Sequence, residues 1–286
     1  MAEREHTSSA PASPAYHRRM SPMSSPQGAA AELARNAGQW LMGWWRTIHL
    51  AALLTVLALS PASYAPENRR AMARHLYLGT TQSLAWFTLL SLLISIVVIR
   101  IVLVTAVSYG LSQYALEMVV RVLVLELIPL AAALFAALRC TIPLAAEIAT
   151  LRSGGGWDAL AAQGIDPLRH EVLPRVVAGS FCALMLAAVN SVVTLVVAYL
   201  SVYGFTLAGF DAYTHTVGHV FSPAVSLIFL LKILFLGLAV SLMPIASVLD
   251  TVARRRANTS AELQGLVRMF LVIVIIEAAS LVGNYY

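Results

Sequence analysis

Charge is scarce in this sequence. Only 12% of the 286 residues are charged, 59% are hydrophobic, and the mean hydropathy is +0.78. Soluble domains carry about 25% charged residues, so the composition argues against a water-soluble enzyme and equally against a disordered chain. Lysine is nearly missing: Lys232 stands alone beside 18 arginines. A Walker-type phosphate loop needs Gly-Lys-Ser/Thr, and Lys232 follows Leu231 inside an apolar run. HExxH, GxSxG and nucleotide GxGxxG motifs are missing too. The two cysteines, Cys140 and Cys182, build neither a disulfide framework nor a cysteine metal site. No motif asks for a cofactor or a metal.

What remains is hydrocarbon-length sequence. Five apolar runs cover about 84–107, 118–138, 174–203, 221–249 and 263–283. At 1.5 Å per residue each can cross a core of about 30 Å. The expected fold is an all-α membrane protein, with an N-terminal interfacial helix, five transmembrane helices and a structured cytoplasmic loop. Residues 1–38 read as a disordered cytosolic tail, 39–83 as the interfacial helix and a basic connector, and 84–286 as the transmembrane domain. Residues 39–59, with Trp40, Trp44, Trp45 and Arg46, suit the headgroup level, although their length could just span.

Fifteen of the 19 basic residues lie before the first run or in the second and fourth connections. The 108–117 and 204–220 connections and the C-terminus have none. Positive charge stays inside, so the N-terminus and the 140–173 loop are expected in the cytoplasm and the C-terminus in the periplasm. This flanking pattern also argues against a nucleic-acid partner. Asp211, His215 and His219 recur at helical spacing, but Gly204, Gly209 and Gly218 weaken a helix there, and the segment reads as a polar surface loop rather than a metal site.

Charges inside the runs are costly and functional by default. Arg100, Glu126, Lys232 and Glu277 fall in the outer half, so they are expected to converge around an outward-opening cavity, with the cations available to an anionic headgroup. Ion pairs that only hold the bundle together are the competing reading. Neither Arg121 with Glu126 nor Arg268 with Glu277 shares a helix face, so partners are expected from other helices. Ser153 to Gly156 should break the loop into two helices, one ending near Arg152 and one starting near Trp157, with Asp158 in its first turn.

The segment 126–175 is the most distinctive. It contains Glu126-Leu127-Ile128-Pro129, Ala146-Glu147-Ile148, Trp157-Asp158-Ala159-Leu160, Asp166-Pro167-Leu168-Arg169 and Pro174-Arg175. These motifs resemble the signature of the MlaE (YrbE) permease family, membrane subunits of ABC lipid transporters that work with MCE proteins. Arg74-His75-Leu76-Tyr77 resembles the family's entry segment, while Leu125 replaces an Arg and Leu138-Arg139-Cys140-Thr141 replaces Gly-Arg-x-Gly, marking a divergent member. The resemblance implies a non-catalytic permease subunit of the bacterial inner membrane. It further implies a homodimer, phospholipid as substrate, a separate ABC ATPase subunit and an MCE-domain partner. Glu147, Arg152, Asp158, Asp166 and Arg169 become candidates for coupling to the ATPase. A stand-alone secondary transporter or membrane-embedded enzyme is the alternative reading.

Overall fold

The structure, a computed structural model, describes residues 26–60, 66–253 and 259–285, and every regular element among them is helical. Ten α-helices follow in order: α1 (Pro26–Leu59), α2 (Pro66–Ser108), α3 (Ala115–Val119), α4 (Ile128–Ala136), α5 (Ile142–Ser153), α6 (Gly156–Ala162), α7 (Leu173–Tyr203), α8 (Phe210–Val220), α9 (Pro223–Ala253) and α10 (Thr259–Tyr285). The chain divides into two units, up to Trp45 and from Arg46 onward.

Among the described residues five segments are long and apolar enough to cross a membrane: Ser83–Ser108, Ser112–Ser153, Leu168–Tyr203, Pro223–Leu249 and Gly265–Asn284. Each overlaps one run read from hydropathy, but the second reaches from Ser112 to Ser153 and the third starts at Leu168, so both take in parts of the segment expected as a 140–173 loop, which is helical at its two ends. The apolar part of α1, Leu41–Leu57, is shorter than any of them. Two boundaries near the N-terminus differ as well. Helix α1 starts at Pro26, not at 39, because Pro26 suits a first helical position and Ala29, Ala30, Ala31, Glu32, Leu33 and Ala34 are strong helix formers. The basic connector is helical from Pro66 onward, continuous with the first span. The rest of the proposed tail, residues 1–25, lies outside the described residues.

Helix α7 is the hub, packed by α2, α4 and α9, while α10 packs on α9. Hydroxyls join α2 to α7 where lipid-like surroundings offer no water: Ser95 Oγ and Thr194 Oγ1 share a hydrogen bond of 3.0 Å. Close approach needs small residues. A Cβ on Gly179 would come 2.6 Å from Thr141 Cγ2 and 2.8 Å from Ser241 Oγ. Two apolar cores result, one around Ile99, Leu123, Ile128 and Ala198, the other around Leu54, Ile148, Val176 and Ile245.

Three π-helical stretches interrupt the bundle: Val120–Leu127, Ala137–Thr141 and Leu168–Val172. Each stops two residues before a proline, namely Pro129, Pro143 and Pro174. A proline ring clashes with the carbonyl four residues back and offers it no N–H. Widening the turn moves that carbonyl aside, so the helix passes the proline without breaking.

Candidate functional site

The first of these π stretches carries Glu126 into the bundle. There it meets Lys232 of α9 and Glu277 of α10. The Lys232 side chain is 1% exposed, and its ammonium donates to Glu126 Oε2, to Glu277 Oε1 at 2.8 Å and to the Leu125 carbonyl at 3.0 Å. All three ammonium protons are thereby used. The Leu125 carbonyl is the one that Pro129 leaves without its α-helical donor, so the proline and the lysine explain each other. Asn284 Nδ2 donates to Glu126 Oε1 at 3.3 Å. Glu277 Oε2 and Asn284 Oδ1 are buried with no hydrogen-bond partner among the described residues. Burial strengthens such pairing, and the same burial makes the loss of one partner expensive.

Arg100 does not join this cluster. Its side chain is exposed on α2 and forms no ion pair among the described residues. The expectation of one four-residue convergence is therefore corrected to three, because α2 presents position 100 away from α9 and α10. An apolar pocket of about 410 Å³ lies between α1, α7 and α9, walled by Leu54, Phe181, Leu184 and Leu238, and none of the four charged residues lines it. Arg121 finds its partner on its own turn: Nε donates to Glu117 Oε1 at 3.0 Å. Reading the second run from 118 left Glu117 out, and with it a visible i,i+4 pair.

The α5–α6 end is built differently. Helix α5 stops at Ser153 and α6 begins at Gly156, as the glycines dictate. Gly155 sits at φ +77°, where a side chain is strained, and Asp158 lies in the first turn of α6. Arg152 turns inward: Nη1 donates to the Leu249 carbonyl of α9 at 3.1 Å, and the guanidinium lies 5.0 Å from the Trp157 ring centre. Arg175 of α7 reaches Glu147 Oε2 at 3.4 Å and the Glu171 carbonyl at 2.8 Å, and also donates to Glu171 Oε2. Asp166 Oδ1 caps the next turn by accepting from Leu168 N at 3.0 Å, with Arg169 at 3.8 Å from its other oxygen. Glu147, Asp158, Asp166 and Arg169 stay exposed.

Sequence reasoning missed Asn284, Glu171, Arg175 and Trp157 as members of these groups. Only Glu171 with Arg175 left a signal, the i,i+4 spacing. At the opposite end of the bundle, α8 forms despite its glycines, since only Gly218 falls inside it. Tyr213 fixes α8 by donating to the Leu195 carbonyl at 2.8 Å, and burial pushes its hydroxyl up to about 12. No group of three His, Cys, Asp or Glu among the described residues is placed to hold a metal.

Five spanning helices, a charged cluster sealed among three of them and a helical elbow tied to two of them define a polytopic α-helical membrane protein. The chain belongs to the MlaE permease family, whose model, Permease MlaE, matches residues 72–282. It is a membrane permease of the ABC-transporter type. No curated protein matches the chain.

Proposed function

We propose that this permease moves phospholipid across or out of the bacterial inner membrane as one half of a homodimer. ATP is hydrolysed on a separate ABC ATPase subunit, and an MCE-domain protein receives or delivers the lipid on the outer side. The N-terminus and the α5–α6 elbow face the cytoplasm, the C-terminus faces the periplasm, and the 41–57 stretch lies at the inner interface. The elbow carries the reading. Its exposed face offers Glu147, Asp158, Asp166 and Arg169 to a soluble partner, while Arg152 and Arg175 tie the same element to α9 and α7. A push on the elbow is thus delivered to two spanning helices, with no nucleotide chemistry in this chain.

The test is purification from the native membrane followed by reconstitution. A co-purifying ATPase chain and ATP-dependent lipid movement are expected. Transport by the chain alone, driven by an ion gradient and indifferent to ATP, would show a stand-alone secondary transporter instead.

A further inference from the structure

Arg100 is an exposed guanidinium in the middle of an apolar helix face. Val97, Ile101 and Val104 beside it are 50%, 59% and 57% exposed. It lies eight residues before the end of α2 at Ser108, about 12 Å along the axis. A bare charge at that depth is costly unless it finds an anion. Snorkelling to the near end works against the helix, because Cα–Cβ bonds tilt toward the N-terminus, here away from Ser108.

Among the described residues the carboxylates at that depth each already face a cation. Glu126 and Glu277 belong to Lys232, and Glu117 belongs to Arg121. A second copy brings the same residues in the same pairs, so it offers no unclaimed intramembrane carboxylate among the described residues. The surrounding face is aliphatic, which suits acyl chains and not a free inorganic anion. We infer that Arg100 is a phosphate-binding residue: it holds the headgroup phosphate of a phospholipid drawn below the headgroup plane against the outward face of α2, with the acyl chains along Val97, Ile101 and Val104. This deepens the lipid-permease reading and rests on it. Lys232, the other cation at that depth, has no proton left to offer.

The experiment is native mass spectrometry of the full chain, purified with its partners, against two probes: phosphatidylglycerol and diacylglycerol, which share acyl chains and differ in phosphate. The wild type is expected to retain phosphatidylglycerol in clear preference. R100Q should lose that preference by about tenfold or more, as for a lost charge-assisted contact, and R100K should recover part of it. Oligomeric state and thermal unfolding should match the wild type. A wild type indifferent to phosphate, or an R100Q protein with the preference intact, overturns the inference and leaves the lipid-permease reading standing. So does an R100Q protein that falls to single copies with its lipid preference unchanged, since Arg100 would then join two copies. A wild type that retains neither probe and moves no lipid overturns the reading itself.

Discussion

The Lys232 cluster and the α5–α6 elbow use the same residue types in opposite ways. In the cluster one cation faces inward to two carboxylates and a carbonyl, and nothing is left over for a ligand but two unpartnered oxygens. In the elbow Arg152 and Arg175 are turned to the Leu249 carbonyl and to Glu147 and Glu171, while Asp158, Asp166 and Arg169 remain in solvent. The difference comes from the dielectric. At membrane depth a buried charge without a counter-charge is costly, so Lys232 uses all of its donors; at the bundle end water screens what the protein leaves open. Charges in the first region face one another, and those in the second lie in solvent, where the proposed coupling places a partner protein.

The sharpest way to break this comparison is to remove Lys232. K232M leaves two buried carboxylates without a counter-charge and should cost about 3–5 kcal/mol, read as a large drop in thermal unfolding in detergent. The triple variant K232M/E126Q/E277Q should recover most of that loss, since a neutral polar cluster carries no desolvated charge. If the triple variant is stable and still transports, the cluster is structural; if it is stable and inert, the cluster also acts in transport.

At the elbow the effects shrink in order. R175A removes a mostly buried guanidinium from Glu171 and Glu147 and should cost about 1–3 kcal/mol, measured the same way. G155A forces a side chain into φ +77° and should cost about 1–2 kcal/mol, with hydrogen exchange rising around residues 150–160 before anywhere else. D158K breaks no hydrogen bond or ion pair among the described residues, but it puts a cation in the first turn of α6 and should cost only about 0.5–1 kcal/mol. Its main effect should appear only with the ATPase present, as ATP hydrolysis that no longer drives lipid movement. Full coupling in D158K, together with full coupling in alanine variants of Glu147, Asp166 and Arg169, would remove this face from the coupling path.

Much of the architecture was legible from residue order. The five spans come from apolar runs of hydrocarbon length, and the elbow's break comes from three consecutive glycines after Ser153. The Glu117–Arg121 pair was legible too, once the run is begun one residue earlier. The start of α1 at Pro26 was obscured by polar composition, which suggests disorder although Ala29 to Ala34 favour helix.

The number of spans, their apolar centres and the break after Ser153 were determined by the sequence, because hydropathy, helix propensity and breakers act over a few neighbouring residues. Which charges meet was decided only by tertiary structure. Lys232 and Glu126 lie 106 residues apart, and Lys232 and Glu277 lie 45 apart. Their meeting depends on how three helices are rotated about their own axes. A π turn adds a residue to the ladder and rotates the helix beyond it by about 100°, so the stretch before Pro129 helps set which way Glu126 points. The same rotations leave Arg100 outside, a position no count along the chain could separate from that of Lys232.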